Sequence, residues 1–177
     1  MSEIRPGSHS PRVVLGLGSN LGDSRRIVLD AVSALEQVLT ELRRASLYET
    51  APLYVTDQGR FINTAVAGFY AGNPVELLSR IQMIEAGFGR ERAKERRWGE
   101  RTLDIDILLF GEKRAVFSSA ENGMNLELPH PRLKERRFAL EPLLELLPDA
   151  LEPGTGISYR SICDALPDQG GRVADAV

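Results

Sequence analysis

The sequence predicts an α+β fold: a ferredoxin-like four-stranded antiparallel sheet with the helices packed on one face, followed by a C-terminal extension. Three observations lead to this prediction. Short apolar runs are bounded by turn-forming residues, two longer segments repeat their apolar residues every three or four positions, and these elements follow the order strand, helix, strand, strand, helix, strand. That order is typical of the split βαβ arrangement, in which sheet and helices form two layers.

The first strand and first helix are predicted from the N-terminal third of the chain. The apolar run at 12–18, RVVLGLG, stops at a cluster of turn formers, so we expect a strand followed by a loop. A helix should then run from Ser24 to about Arg44, because its apolar residues form one stripe: Ile27, Ala31, Leu35, Val38 and Leu42.

Two strands and a second helix follow. Residues 45–50 and 61–70 are predicted strands, and the segment between them, APLYVTDQG, is too long for a tight hairpin turn. The second helix should begin after Asn73, which is suited to the N-cap position. Pro74 then takes the first helical position, and the helix should end near Gly87.

The last strand of the sheet is predicted at 102–110, after a charged loop. Beyond Phe110 the pattern is weaker: SSAENGMN (118–125) is predicted to be a loop. The spacing of the leucines in FALEPLLELLP (138–148) predicts a third helix.

Composition limits the classes of function. With 177 residues, of which 42% are hydrophobic, we expect a single domain over 12–166, a disordered tail at 1–11 and a flexible tail at 167–177. A net charge of −3 argues against nucleic acid or a membrane as partner, and a monomer is compatible with the sequence. The only cysteine, Cys163, favours a reducing compartment, so we expect a cytoplasmic protein.

Two carboxylates interrupt the last predicted strand. Asp104 and Asp106 are two positions apart, so they should point to the same face, whereas Leu103, Ile105 and Ile107 point to the other. Paired carboxylate oxygens suit Mg²⁺ with substrate phosphates. The alternative is the acidic, half-solvated face of an ordinary antiparallel strand. Spacing alone leaves both interpretations open.

The loop before this strand is rich in arginine. Residues 89–101, GRERAKERRWGER, carry more basic than acidic side chains, and guanidinium groups are suited to phosphate. We interpret this loop as a lid over a nucleoside triphosphate, against the alternative of a solvated loop with internal ion pairs. The glycines of GLGSNLG (16–22) match neither common phosphate-binding motif, so we assign them to a tight turn.

Five segments carry a resemblance to a known family. They are LGSNLGD (17–23), YETAPLY (48–54), DQGRFINTAV (57–66), RWGERTLDIDI (97–107) and LPHPRLKERRF (128–138). In this order they resemble the 6-hydroxymethyl-7,8-dihydropterin pyrophosphokinases of folate biosynthesis. The resemblance implies transfer of pyrophosphate from ATP to the pterin's hydroxymethyl group, with AMP released. It also implies a ferredoxin-like fold, ATP as co-substrate and two Mg²⁺ ions.

The resemblance also implies roles for individual residues at the nucleotide end of the site. Asp104 and Asp106 would hold the metal, and they would form the catalytic group together with Arg92 and Arg101. Asp106 is the candidate proton acceptor. The residues expected to contact ATP are Gln82, Glu85, Arg90, Arg92, Trp98, Arg101, Ile107, His130 and Arg136. For His130, a purely structural role is the alternative.

The pterin is a flat bicycle, which calls for aromatic faces and for a group that both donates and accepts hydrogen bonds. By resemblance, Phe61 and Phe138 would stack on the rings and Asn63 would bind the pyrimidine edge. The remaining expected contacts are Thr50, Pro52, Leu53 and Asp106. Without the resemblance, two phenylalanines are more typical of a core.

Two functions of other classes stay open at this point. One is a catalytically silent pterin- or nucleotide-binding regulator on the same scaffold. The other is a ferredoxin-like RNA-binding module whose exposed aromatic residues stack on bases, although the negative net charge disfavours it.

Overall fold

The structure is a computed structural model that describes residues 10–52, 57–90, 101–119 and 123–175. Its strands are β1 (Arg12–Ser19), β2 (Thr40–Arg44), β3 (Leu47–Thr50), β4 (Phe61–Phe69), β5 (Asp104–Phe110), β6 (Ala115–Ser119), β7 (Met124–Leu128) and β8 (Arg172–Asp175). Its helices are α1 (Ser24–Leu35), α2 (Pro74–Gly87), α3 (Arg137–Leu146) and α4 (Tyr159–Ala165), with a short 3₁₀ turn at Leu133–Glu135.

The main sheet has the predicted ferredoxin-like order. Its strands run β5-β1-β4-β3-β8, all antiparallel, and β2 also pairs with β4. The predicted second strand, 45–50, is β3 (Leu47–Thr50). The additional strand β2 lies in residues that are predicted to be helical, and it pairs with β4 further along than β3 does. The predicted α+β ferredoxin-like fold is confirmed. In the described residues, however, the sheet has six strands instead of the predicted four, because β2 and β8 join it.

Each face of the sheet carries its own hydrophobic core. On one face α1 and α2 pack on β1 and β5, with Leu35, Leu77 and Ile105 among the buried residues. On the opposite face α3 packs mainly on β4, and α4 packs on α3, with Leu143 and Leu108 among the buried residues. Because the side chains of a strand alternate between faces, β5 supplies residues to both cores.

The first helix is shorter than predicted. It ends at Leu35, and the chain turns at 36–39 before it enters β2. Val38 and Leu42 continue the helical spacing, but the backbone of β2 pairs with β4, so tertiary pairing overrides the local pattern. Glu41 has a φ of 51° at the irregularity in this pairing, and such a backbone conformation does not occur within an α-helix.

The second helix begins and ends where the sequence predicts. Asn73 accepts hydrogen bonds from the backbone N–H groups of Val75 and Glu76, and the Glu76 carboxylate accepts one from the N–H of Asn73. This capping box satisfies donors that a helix end leaves without partners. The helix then runs from Pro74 to Gly87.

Two further predictions need correction. The predicted loop at 118–125 contains the ends of β6 and β7, which pair as a hairpin. Residues 172–175, expected in a flexible tail, form β8 on the edge of the main sheet. The third predicted helix is confirmed as α3. In the described ranges no helix combines the length and the apolar character needed to cross a bilayer.

Candidate active site

A cleft opens on the α3 face of the sheet, above the middle of β1. It is bounded by β1, β4, β5, the end of β3 and the beginning of α3, and its space, including the solvent at its mouth, is about 810 Å³. The residues that line it are Gly16, Leu17, Gly18, Thr50, Ala51, Gln58, Phe61, Asn63, Thr64, Arg101, Asp104, Asp106, Leu108, Arg136, Phe138 and Ala139.

Asp104 and Asp106 lie together in this cleft, as alternation along β5 predicts. Leu103, Ile105 and Ile107, between and beside them, are buried in the core of the α1 and α2 face. Both carboxylates lie in the wall of a cleft. The alternative interpretation, an acidic strand face turned to bulk solvent, therefore does not describe this strand.

The floor of the cleft is made by glycines of β1. Gly16 pairs with Asp106 and Gly18 with Asp104, so the strand beside the two aspartates lacks side chains. The prediction that the glycines of 16–22 serve a tight turn is wrong for these two, since both lie inside β1. Only Gly22, with a φ of 63°, takes the left-handed backbone conformation of a turn.

Two arginines hold Asp104. Arg90 Nη1 lies 2.6 Å from one carboxylate oxygen of Asp104, and Arg101 Nη1 pairs with the other. Arg90 also forms an ion pair with Glu85, whose carboxylate accepts a hydrogen bond of 2.9 Å from the backbone N–H of Ile105. Glu85 is 1% exposed, so it fixes Arg90 from beneath the site.

Asp106 has a different pair of neighbours. Arg136 Nη1 donates a hydrogen bond of 3.1 Å to Asp106, and His130 Nε2 lies 3.6 Å from the same oxygen. The imidazole Nδ1 accepts a hydrogen bond from the N–H of Arg132, so a neutral ring carries its proton on the nitrogen that faces Asp106. Arg136 Nε is buried and has no hydrogen-bond partner among the described residues.

The two carboxylates differ in their affinity for a proton. Burial alone would raise the pKa of Asp104, but the charges of Arg101 and Arg90 outweigh it and hold that pKa below its usual range. Burial and the charge of Asp104 raise the pKa of Asp106. Burial also lowers the pKa of His130, against the opposing effect of Asp106, so His130 is neutral at pH 7.

The other half of the cleft carries an amide and two aromatic rings. Asn63 is buried and donates a hydrogen bond of 2.7 Å from Nδ2 to Thr50 Oγ1, which fixes the orientation of its amide. Phe61 lies two positions before it on β4, and Phe138 faces the cleft from α3. The guanidinium of Arg136 lies 5.7 Å from the centre of the Phe138 ring.

Asn20 is a residue that sequence reasoning missed. Its Oδ1 accepts a hydrogen bond of 2.8 Å from the N–H of Arg101, and its backbone N–H donates one of 3.1 Å to the carbonyl of Arg101. Its Nδ2 donates to Gln58 and Gly59, on the far side of the cleft. Asn20 therefore ties Arg101 to the loop before β4. Its place among turn formers gave no signal of this.

Several predicted site residues lie elsewhere. Ile107 is in the core, so its side chain does not line the cleft, and its contact with ATP stays a prediction. Gln82 is exposed on α2 and does not line the cleft. Pro52 follows the lining residue Ala51 without lining the cleft itself. Three predicted site residues, Leu53, Arg92 and Trp98, lie outside the described residues.

The oxygen ligands in the cleft are few. Within the ranges that the structure describes, no group of three or more His, Cys, Asp and Glu residues is placed to hold a metal. Asp104 and Asp106 are the carboxylates that line the cleft, and they are suited to an ion that takes its remaining ligands from substrate and water.

Comparisons with known proteins identify the family. The sequence model for 7,8-dihydro-6-hydroxymethylpterin-pyrophosphokinase (HPPK) matches residues 14–148. The 2-amino-4-hydroxy-6-hydroxymethyldihydropteridine pyrophosphokinase of Bacillus subtilis is 42% identical over 134 residues, which cover 75% of this chain and 75% of that protein. The enzyme of that name from Pseudomonas aeruginosa is 41% identical over 145 residues, covering 80% of this chain and 84% of that protein.

Other relatives are much longer than this chain. The mitochondrial folate synthesis bifunctional protein of Arabidopsis thaliana is 38% identical over 161 residues, which are 90% of this chain but 27% of that protein. The crystal structure of wild-type HPPK-DHPS from Plasmodium falciparum superposes with a TM-score of 0.70 at 15% identity, over 90% of this chain and 45% of that one, and supports the fold. The chain belongs to the 7,8-dihydro-6-hydroxymethylpterin-pyrophosphokinase family.

Proposed function

We propose that this protein transfers a pyrophosphoryl group from ATP to the hydroxymethyl oxygen of 6-hydroxymethyl-7,8-dihydropterin in folate biosynthesis. The products are AMP and the pterin diphosphate. The observation that carries the proposal is one cleft with two ends of different chemistry. One end has paired aspartates among arginines, and the other has an oriented amide between two phenylalanines.

The charged end is suited to a polyphosphate. Arg90, Arg101 and Arg136 approach the aspartate pair from different elements, and their charges are balanced by Glu85, Asp104 and Asp106. A triphosphate adds negative charge to this end of the cleft. The arginines can donate hydrogen bonds to it when their guanidinium groups turn away from the carboxylates. The buried Nε of Arg136, without a partner among the residues described, is a donor available to such a ligand.

Asp104 and Asp106 are the residues that would hold magnesium, and we propose two ions. The donor set fits, because Mg²⁺ is usually bound by one or two carboxylates together with phosphate oxygens and water. When bound, magnesium neutralises phosphate charge and makes a nearby hydroxyl easier to deprotonate. The chain's own part is to present both carboxylates on one strand face and to keep the arginines beside them.

The uncharged end is suited to a flat heterocycle. The ring faces of Phe61 and Phe138 would stack on it, and the amide of Asn63 offers both a donor and an acceptor to a pyrimidine edge. The bond from Asn63 to Thr50 holds this amide before a ligand arrives, which reduces the entropy lost on binding. Gly16 and Gly18 leave the sheet surface flat beneath the rings.

Positioning and charge stabilisation would account for most of the rate in a transfer of this kind. Attack of the hydroxymethyl oxygen on the β-phosphorus releases AMP. The hydroxyl proton passes to a base, and we propose Asp106 for this role; without metal, its pKa is raised by burial whereas that of Asp104 is lowered by its arginines. His130, neutral with its Nε2–H towards Asp106, would orient that carboxylate.

We also propose that the protein works in the cytoplasm. The support for the compartment is Cys163, which is a free and buried thiol.

The proposal is tested by assaying AMP formation from ATP, hydroxymethyl-dihydropterin and Mg²⁺. We expect AMP and the pterin diphosphate in equal amounts. Asp104→Asn should reduce kcat by about a hundredfold or more, as loss of a group acting in the transition state does. Asp149→Asn, an exposed aspartate after α3, serves as the matched control and should keep full activity.

Other products would contradict the proposal. ADP in place of AMP would indicate transfer of a single phosphoryl group. Tight binding of both substrates without any turnover would favour the silent regulator instead. Unchanged turnover in Asp104→Asn would remove the aspartate pair from the mechanism.

A further inference from the structure

The chain beyond α4 returns to the cleft. Residues 166–175, which we call the C-terminal strap, lie outside the segment matched by the family model, 14–148. The end of the strap is β8, which pairs with β3 on the edge of the main sheet. Gly171, just before β8, lies against Thr50: a Cβ at this glycine would be 3.5 Å from Thr50 Cγ2. The strap therefore packs behind a residue that lines the cleft.

Gln169 of the strap caps helix α3. Its Oε1 accepts a hydrogen bond of 2.9 Å from the N–H of Arg137, the first residue of the helix. Its Nε2 donates one of 2.9 Å to the carbonyl of Glu135. Arg136, at the N-cap position, makes no capping hydrogen bond with its own side chain. A side chain from a distant part of the sequence thus satisfies a helix donor that a local residue usually satisfies.

The strap forms hydrogen bonds with the residues that precede the two phenylalanines of the cleft. Arg137, which precedes Phe138, donates from Nη1 to the carbonyl of Leu166 at 3.1 Å. Arg60, which precedes Phe61, donates from Nη2 to the carbonyl of Gly170 at 3.2 Å. The strap therefore bridges the two chain segments that carry the aromatic rings.

A small second cavity lies behind Phe138. Its lining includes Thr50, Ala51 and Phe138, which also line the main cleft, together with Gln169 and Gly171 of the strap. Phe138 thus has the cleft on one side and the strap on the other. Movement of the strap would leave room for the ring to turn away from the cleft, because closely packed neighbours are what hold a side chain in one rotamer.

We propose that Gln169 is a positioning residue, which fixes the first turn of α3 and so holds the Phe138 ring against the heterocycle of the substrate. This inference rests on the proposed function. The nucleotide end depends less on Gln169, because Arg136 is held independently by its hydrogen bond to Asp106. The substrate whose affinity Gln169 controls is therefore the pterin rather than ATP.

The test compares full-length Gln169→Ala with Gln37→Ala, the same change in the exposed turn after α1. In Gln169→Ala we expect the KM for hydroxymethyl-dihydropterin to rise about fivefold, as the loss of roughly one net hydrogen bond would give. The kcat and the KM for ATP should stay within about twofold of wild type. Hydrogen exchange at the Arg137 amide should become faster. Gln37→Ala should match wild type in each measurement.

The outcomes separate this inference from the proposed function. AMP formation by the wild-type protein reports on the function alone. Suppose that the wild type is active. If Gln169→Ala then has unchanged kinetics, or if its KM rises equally for both substrates, the positioning role is wrong while the proposed function stands. If the wild type is inactive, the proposed function fails. Exchange at Arg137 and pterin binding measured by fluorescence then decide the role of Gln169, and no change in either overturns it.

Discussion

The absence of a side chain at Gly18 sets the place of Asn63 in the cleft. A Cβ built on Gly18 would lie 2.7 Å from Asn63 Oδ1, closer than real Cβ contacts occur. Asn63 is buried and already bonded to Thr50, so it has little freedom to move away. A glycine is therefore required at position 18 because a side chain there would collide with Asn63. Its backbone conformation does not require glycine, since it lies in a regular strand.

We predict that Gly18→Ala weakens pterin binding. The new methyl group forces the Asn63 amide to rotate, which breaks its bond to Thr50, and overpacking of this kind costs about 1–3 kcal/mol of stability. The KM for the pterin should rise about tenfold, which corresponds to a loss of roughly 1.4 kcal/mol. Steady-state kinetics with the pterin varied at saturating ATP measures this.

Gly87→Ala is the matched control for Gly18→Ala. Among the described residues, no atom outside the helix's own backbone and the adjacent residues lies within 4 Å of a Cβ at Gly87, which is the last residue of α2. Alanine should therefore leave the KM for the pterin unchanged and keep or raise the unfolding temperature, since alanine is the better helix former. Equal effects of the two changes on pterin binding would show that the contact between Gly18 and Asn63 has no role in it.

The aspartate pair shows what a single residue pattern predicts. Alternation along one strand was sufficient to place Asp104 and Asp106 on one face, because that geometry depends only on the backbone. The same pattern could not reveal Asn20 or Gln169. Their partners are Arg101 and Arg137, which come close only after the whole chain has folded.

Among the elements, α3 forms one wall of the cleft, and the carboxylate of Glu145 attaches it to the sheet. Glu145 accepts hydrogen bonds from the backbone N–H and the hydroxyl of Ser46, and one of 3.0 Å from the hydroxyl of Tyr48. Burial and the nearby Glu145 raise the pKa of Tyr48, so that its hydroxyl remains a donor at all physiological pH values. These bonds join the end of α3 to Ser46, which lies between β2 and β3, and to Tyr48 in β3.

We predict that Glu145→Ala loosens α3 as a unit. The change leaves the Ser46 N–H, which belongs to a buried residue, without its acceptor, at a cost of about 1–3 kcal/mol in the free energy of unfolding. Urea unfolding followed by circular dichroism measures this. Glu127→Ala, at an exposed glutamate on β7, is the control and should stay within about 0.5 kcal/mol of wild type. Similar losses in both variants would mean that Glu145 does not fasten the helix.

The elements differ in how far the sequence predicts them. Helix α2 is predicted to the residue because its signals are local: a capping box at its beginning and a glycine at its end. The segment 36–44 is predicted wrongly because its apolar spacing fits both a helix and a strand, and only the free edge of β4 decides between them. Strand β8 has four residues and depends on β3, so no local pattern reveals it.

At the scale of the whole molecule, two cores share one sheet. The α1 and α2 core contains Leu77, and the α3 and α4 core contains Leu143; both leucines are fully buried. Strand β5 contributes side chains to both cores, through Ile105 on one face and Leu108 on the other. The cleft, however, opens on the α3 face alone. We therefore expect the two cores to unfold together, whereas only the core of α3 and α4 should affect ligand binding.

We predict that Leu77→Ala and Leu143→Ala each destabilise the protein by about 2–5 kcal/mol, the usual cost of this truncation in a core. Because the sheet belongs to both cores, each variant should unfold in one transition, with far-ultraviolet and near-ultraviolet circular dichroism giving the same midpoint. Pterin affinity, measured where both variants are folded, should fall in Leu143→Ala and be kept in Leu77→Ala, since only α3 carries Phe138. Two separate transitions would show that the cores unfold independently, and an equal loss of affinity would show that the cleft senses both faces of the sheet.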